Sequence, residues 1–159
     1  MKKHLRLQKI SLDSVDIELL RILHADARTP IAEIARTLSM SAPSVSERLK
    51  RLRESGVIRS FTIDVDPVML GYELALYIRI SPLPGQLSKV VSVIADKKEI
   101  VECDLITGDD CFIAKVNVRS AQEIEDVTDR LNVYAKTNTS LVQSSPVDRR
   151  LLPLIADDS

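Results

Sequence analysis

The chain has 159 residues, enough for one domain or two small ones, and 45% of them are hydrophobic, with a mean hydropathy of +0.02. This balance is typical of a soluble protein with a core, and no window offers the roughly 20 apolar residues of a membrane span. Residues 1–60 carry 12 Lys/Arg against 7 Asp/Glu, whereas residues 61–159 carry 10 against 16. A basic first third favours a polyanionic partner for that part alone.

The first 60 residues show helical periodicity and almost no strand pattern. Apolar residues recur at helical spacing over 14–26, again from Ile31 to Leu38, and again from Val45 to Leu52. Asp13 and Ser41 are suitable N-caps for the first and third helices, and Gly56 ends the third. The last two helices are separated by about three residues, so residues 1–60 are predicted to form a helix-turn-helix domain.

The remainder of the chain predicts an α+β domain. Residues 61–71 read as a linker strand or hinge, residues 72–150 as the second domain, and residues 151–159 as a tail. Within 72–150 the periodicities follow the order βαββαβ, which indicates a ferredoxin-like arrangement with both helices on one face of the sheet. The last strand is predicted over 139–145. The other face would present Ala75, Tyr77, Ile113, Lys115 and Asn117, and a half-apolar open face favours self-association.

The third helix has the composition of a recognition helix. With Val45, Leu49 and Leu52 facing inward, its polar residues are predicted to lie on or near the outer face. Small polar residues near its start can approach base edges, and cations can reach guanines and phosphates. Few aromatic residues, 3%, argue against single-stranded nucleic acid, so double-stranded DNA is the predicted partner. The predicted DNA-binding residues are Ser41, Pro43, Ser44, Ser46, Glu47, Arg48, Lys50 and Arg51.

Enzymatic and metal-binding motifs are absent from the sequence. The four glycines are scattered, so no phosphate-binding loop forms, and Cys103 and Cys111 have no metal-ligand spacing with His4 or His24. We expect no catalytic residues, no metal and no cofactor. Thr107-Gly108-Asp109-Asp110 reads as a hairpin turn between two strands.

The chain resembles the Lrp/AsnC family of feast/famine transcription regulators. The resemblance is carried by the first helix from Leu12 to Leu20, by the stretch from Ser41 to Ile58, and by Asp66, Pro67 and Gly71. Thr107-Gly108-Asp109 before an apolar strand is similar to the motif of the family's effector domain. The match covers nearly the whole chain.

This resemblance implies a winged-helix-like helix-turn-helix followed by an αβ effector and oligomerisation domain, the RAM domain. It also implies homodimers, often four to an octamer, and an amino acid or related metabolite as effector. A cytoplasmic location is expected separately, because the sequence shows no membrane span and no apolar run of secretory length near residue 1. Asp110 and Cys111 stand where family members commonly carry an aromatic and a second acidic residue, so we expect a weak or unusual ligand preference. The residues predicted to bind the effector are Thr107, Gly108, Asp109, Asp110, Cys111 and Lys136.

Two alternatives belong to other functional classes. Some proteins built like this family decarboxylate sirohaem-type tetrapyrroles, but that chemistry calls for histidines or arginines in the second domain's pocket, and no His follows His24. A module that buffers a ligand without binding DNA would not need a basic recognition helix. DNA-dependent regulation is therefore the favoured function.

Overall fold

The computed structural model describes residues 11–108, 111–147 and 150–154. The chain divides into two compact units with a boundary between Ile63 and Asp64, and residues 147 and 150–154 group with the first unit. The first boundary falls inside the stretch 61–71 that the sequence marks as a linker.

Three helices form the first unit: α1 (Ser14–Ala25), α2 (Ile31–Thr37) and α3 (Ala42–Glu54). Helix α1 begins with a capping box, in which the Asp13 carboxylate accepts from the Asp16 amide and the Asp16 carboxylate accepts from the Asp13 amide. Helix α3 begins at Ser41, whose hydroxyl accepts from the Ser44 amide, and Gly56 follows it with φ of 77°. These local signals account for the observed helix bounds.

Apolar side chains from all three helices meet in the core of this unit. Leu19, Ile34, Val45 and Leu52 are fully buried, and each side chain contributes about 1.5–3 kcal/mol relative to exposure. The observed helices and their core confirm the predicted helix-turn-helix.

The turn between α2 and α3 contains a left-handed serine that the sequence does not predict. Ser39 has φ of +53°, in the left-handed region that glycine usually occupies. Its amide donates to the Arg36 carbonyl, and the Met40 amide donates to the Ala35 carbonyl. This is a Schellman motif with serine at the left-handed position, and it ends α2 sharply enough for α3 to follow within a few residues.

The predicted linker strand over 61–71 is not a strand among the described residues. The Asp66 carboxylate accepts from the Val68 amide, a 3-10 turn follows at Val68–Leu70, and Gly71 closes it with φ of 83°. Proline at position 67 and this side-chain bond favour a turn, and no neighbouring strand of the chain pairs with the segment.

The second unit has the predicted βαββαβ order. Its elements are β1 (Leu74–Pro82), α4 (Leu87–Asp96), β2 (Ile100–Leu105), β3 (Phe112–Val118), α5 (Ala121–Asn132) and β4 (Ala135–Leu141). The strands form one antiparallel sheet in the order β2-β3-β1-β4. This is the ferredoxin-like arrangement expected from the sequence.

The helices cover one face of this sheet. Leu76, Ile78 and Ile80 of β1 are fully buried with Val90 of α4 and Val127 of α5. Alternation along β1 and β3 then places Ala75, Tyr77, Ile113 and Lys115 on the opposite face, which we call the open face. Asn117 on that face is buried and borders a cavity of about 270 Å³ lined also by Val65, Pro67, Leu70, Tyr72, Lys98, Glu99 and Val101.

Two strands differ from the sequence-based expectation. The last strand starts at Ala135, not at residue 139, because residues 135–141 pair with β1 from Pro82 back to Leu76. In β2 a register shift between Ile100 and Glu102 turns Val101 outward, where it is 52% exposed. A bulge of this kind changes which residues face the core and cannot be read from alternation alone.

Candidate DNA interface and effector site

The start of α3 is exposed and carries no acidic residue in its first turn. The Ser41 hydroxyl lies 3.3 Å from the Ser44 amide and 2.7 Å from the Ser44 hydroxyl, and Pro43 occupies the first turn. Amides that remain unpaired at a helix start, together with the positive end of the helix dipole, favour a phosphate. Ser41, Pro43 and Ser44 therefore lie where the sequence places a DNA contact.

An exposed stripe continues along α3 on the side away from the core. Glu47 and Lys50 are exposed, as is Ser46, whose hydroxyl donates to the Ala42 carbonyl over 3.0 Å. Lys50 and Arg53 form no ion pair in the part of the chain that the structure describes, so their charges are available to a polyanion. The basic tail residues Lys2, Lys3, Arg6 and Lys9 lie outside the described residues.

Arg48 and Arg51, which the sequence places on or near the outer face, form ion pairs with α1; the Arg51 side chain remains 48% exposed. Arg48 Nη1 lies 2.7 Å from Asp13 Oδ2 and 2.9 Å from Asp16 Oδ1, and Arg51 Nη2 lies 2.5 Å from Asp16 Oδ2. The Asp16 side chain is fully buried and the Arg48 side chain is 26% exposed. A buried carboxylate needs charged partners, and these two arginines supply them. We refer to these four residues as the carboxylate–arginine cluster.

The sequence predicts only a capping role for Asp13, and the spacing of Asp16 three residues later is close to a capping box. The two carboxylates also bind arginines that lie 32 to 35 residues away in the chain, and only the folded structure brings these groups together. The available signal is the i, i+3 spacing of Arg48 and Arg51, which places both arginines on one side of α3.

The cluster shifts the pKa values of Asp13 and Arg48. Partial burial acts to raise the pKa of Asp13, but the Asp16 amide and the Arg48 guanidinium outweigh it, so the pKa of Asp13 lies below its ordinary value. The hydrogen bond to Asp13 raises the pKa of Arg48. Both shifts favour the ionised pair at neutral pH.

The predicted effector turn joins β2 to β3. The Ile106 amide donates to the Cys111 carbonyl, the Cys111 amide donates to the Ile80 carbonyl, and Gly108 has φ of 124°. Thr107 and Gly108 are exposed and Cys111 is half-buried. Asp109 and Asp110 lie outside the described residues.

Lys136 belongs to the same end of the sheet as this turn. It lies in β4 opposite Ser81 of β1, next to the Ile80 carbonyl that Cys111 binds. Because β1 separates β3 from β4, Lys136 stands about two strand spacings, roughly 10 Å, from Cys111. The sequence predicts that residues 135 and 136 lie near the end of the preceding helix. In the structure they belong to β4, because α5 already ends at Asn132.

Two cavities lie away from these residues. One of about 480 Å³ lies between α4 and α5 and is lined by Ser92, Val93, Ala95, Asp96 and Arg130. The other is the 270 Å³ cavity beside Asn117. Neither includes a predicted effector residue.

Metal-ligating groups and membrane-spanning helices do not occur among residues 11–108, 111–147 and 150–154. No three His, Cys, Asp or Glu side chains in these ranges are grouped closely enough to hold a metal ion. Each helix there is too short or too polar to span a bilayer.

Both units match models of one protein family. The AsnC-type helix-turn-helix domain matches residues 12–53, and the Lrp/AsnC ligand binding domain matches residues 75–152. The HTH-type transcriptional regulator FL11 of Pyrococcus abyssi is 32% identical over 92% of this chain and 99% of its own length. The regulator LrpC of Bacillus subtilis is 29% identical over 85% of this chain and 94% of its own length.

Solved structures of this family have the same fold as the chain. Bacillus subtilis LrpC superposes with a TM-score of 0.83 at 28% identity, covering 89% of this chain and all of that one. The feast or famine regulatory protein of Mycobacterium tuberculosis, complexed with L-methionine, superposes with a TM-score of 0.81 at 27% identity, covering 90% and 100%. The chain therefore belongs to the Lrp/AsnC family, and it is a DNA-binding transcription regulator modulated by a small effector, not an enzyme.

Proposed function

We propose that the exposed start and outer stripe of α3 bind the major groove of double-stranded DNA. The supporting observation is the start of α3, where Ser41 and Ser44 are exposed and no acid lies in the first turn. Ser41, Pro43 and the helix amides would hold a phosphate, and Ser44, Ser46 and Glu47 would meet base edges. Lys50 would bind a phosphate. Arg48 and Arg51 would support the helix from the flank that faces Asp13 and Asp16.

The experiment is selection of duplexes from a random library by the full-length protein, followed by affinity measurements across salt concentrations. We expect an inverted-repeat consensus, tighter binding than to a random duplex, and little binding to single strands. Changing Ser44 and Glu47 should alter which duplex is preferred more than how strongly DNA is held. Failure to enrich any duplex would contradict the proposal.

A homodimer is proposed as the minimum unit, with an octamer as the larger assembly that the family resemblance implies. The open face supports the dimer, because Ala75, Tyr77 and Ile113 present apolar surface and Tyr77 is 42% exposed. Two recognition helices would then meet an inverted repeat with a spacing of roughly 34 Å or a multiple of it. A cytoplasmic location is proposed as well, and the match to a family of DNA-binding regulators supports it.

The effector is proposed to be an amino acid or a related metabolite bound beside the turn from Thr107 to Cys111. An amino acid needs a carboxylate for its ammonium group and amides or a cation for its own carboxylate. Asp109 and Asp110 would supply the first, and the amides near Gly108 with Lys136 the second. The relative crystallised with L-methionine supports this ligand class.

Calorimetry against the twenty amino acids tests the effector site. Cys111 stands at a usual acidic position and carries no charge as a thiol, so we expect weak or redirected binding that Cys111→Asp strengthens. Tight binding that survives Asp109→Ala and Asp110→Ala would place the sensing site elsewhere.

A further inference from the structure

The carboxylate–arginine cluster joins the recognition helix to the start of α1. Arg48 Nη1 donates to both Asp13 Oδ2 and Asp16 Oδ1, and Arg51 Nη2 donates to Asp16 Oδ2. The remaining oxygen, Asp13 Oδ1, accepts from the Asp16 amide, and Asp16 Oδ2 also accepts from the Asp13 amide. Every carboxylate oxygen of the pair is therefore bound.

The geometry of α3 shows what this arrangement restrains. Apolar contacts of Val45 and Leu52 hold α3 against the core, but the hydrophobic effect itself is not directional. Arg48 and Arg51 lie on the flank of α3 between its buried side and its exposed stripe. Ion pairs on that flank, with fixed donors and acceptors, set which residues of α3 face outward.

We propose that Arg48 and Arg51 are positioning residues of the recognition helix, which act on DNA specificity through Asp13 and Asp16 and not through contacts of their own. This inference rests on the proposed function of α3 in DNA binding. The cations that meet phosphates are then those on the exposed stripe and beside it, Lys50 and Arg53. The sequence pattern alone assigns Arg48, Lys50 and Arg51 to DNA.

The change in DNA affinity on removing an acidic charge has opposite signs for a positioning role and for simple electrostatic repulsion. Removing an acidic charge near DNA strengthens binding if charge is all that matters. Asp13→Asn keeps an N-cap oxygen for α1 but removes the charge that holds Arg48. We expect it to weaken binding to the selected duplex. Glu18→Gln is the matched control, because Glu18 is an exposed acid on the same helix whose partner is Arg21 within that helix.

The experiment measures the affinity of each folded full-length variant for a duplex selected by the wild-type protein and for a random duplex of equal length. For Asp13→Asn and Arg48→Gln, the ratio of the two affinities should fall at least about fivefold, the effect of one misread base pair. Destabilisation alone would lower both affinities together and leave the ratio unchanged, which would overturn the proposal. Glu18→Gln should leave the ratio as in the wild type.

The salt dependence separates positioning from contact. Lys50→Gln should lower the slope of log affinity against log salt by about 0.9, the value of one lost phosphate contact, whereas Arg48→Gln should leave the slope unchanged. The double variant Asp13→Asn/Arg48→Gln should lose no more specificity than the worse single variant, since both remove one link. A slope lowered by Arg48→Gln as much as by Lys50→Gln would make Arg48 a direct contact and overturn the inference.

The outcomes also separate this inference from the proposed function. If the wild-type protein selects no duplex, the DNA-binding proposal fails and the positioning role fails with it. If the wild-type protein selects a duplex and Asp13→Asn retains its full specificity ratio, only the positioning role fails.

Discussion

Asp16 is a fully buried carboxylate in a unit held together by a small apolar core. Transferring a carboxylate out of water costs several kcal/mol unless it is paired and hydrogen-bonded. Its two oxygens accept from Arg48, Arg51 and the Asp13 amide, which offsets that cost. The same residue thus caps α1 and anchors α3.

Asp16→Ala should destabilise the first unit by about 3 kcal/mol, because it removes the partner of Arg51, one of the two partners of Arg48, and half of the capping box. Urea unfolding followed by far-UV circular dichroism measures the loss. The three tyrosines, Tyr72, Tyr77 and Tyr134, all lie in the second unit, so their fluorescence reports whether that unit is unaffected. Glu18→Ala should change stability by no more than about 0.5 kcal/mol; an equal loss there would contradict a special role for Asp16.

The lowered pKa of Asp13 predicts how the first unit responds to acid. Because the folded value lies below the unfolded one, about 3.9, the ionised group contributes stability above that pH and loses it as the pH falls through the folded value. The stability difference between the wild type and Asp13→Asn should therefore shrink with acidification. Urea midpoints from neutral to acidic pH measure it, and parallel pH profiles would contradict the assignment.

At the scale of elements, the Schellman motif at Ser39 connects α2 to α3 within a short turn. A left-handed conformation raises the free energy of a residue with a Cβ by roughly 1–2 kcal/mol, and Ser39 adopts this conformation. The two hydrogen bonds that end α2 keep the residue in place. The position is one where natural helix ends most often carry glycine.

Ser39→Gly should stabilise the first unit by about 0.5 kcal/mol. Relief of the left-handed strain, roughly 1–2 kcal/mol, exceeds the added entropy of glycine in the unfolded chain, roughly 0.4–1 kcal/mol. Thermal unfolding followed by circular dichroism gives the shift. Ser39→Ala is the control, since it keeps the Cβ and should not stabilise. A glycine variant less stable than the alanine variant would refute the strain argument.

The N-cap of α3 allows the structural and DNA-binding roles of one residue to be separated. Ser41→Ala should cost about 1 kcal/mol of stability, whereas Ser41→Asp retains a capping oxygen and should not. The aspartate would nevertheless repel a phosphate at the helix start, so Ser41→Asp should weaken DNA binding at an unchanged melting temperature. Full DNA affinity of Ser41→Asp would place the phosphate elsewhere.

At the scale of the whole molecule, the open face of the sheet is the proposed dimer surface. Tyr77→Glu would place a charge in a desolvated interface and should convert dimers to monomers in light scattering, with a loss of DNA affinity. Val91→Glu is the control, because Val91 is 46% exposed on α4, which covers the other face. A dimer that persists in Tyr77→Glu would exclude the open face as the interface.

Local patterns in the sequence determined the helices of the first unit, the order βαββαβ, and the buried face of β1, because caps and periodicity act between residues a few positions apart. The DNA-binding and effector residues were named from the same patterns, and their roles stay proposals. The tertiary structure alone decided the partners of Arg48 and Arg51, the bulge at Val101 and the start of β4 at Ala135. Each of these depends on a partner distant in the chain: a cation that meets a buried carboxylate, or a strand edge that is free to pair. Periodicity cannot predict such pairs, because it reflects only residues a few positions apart.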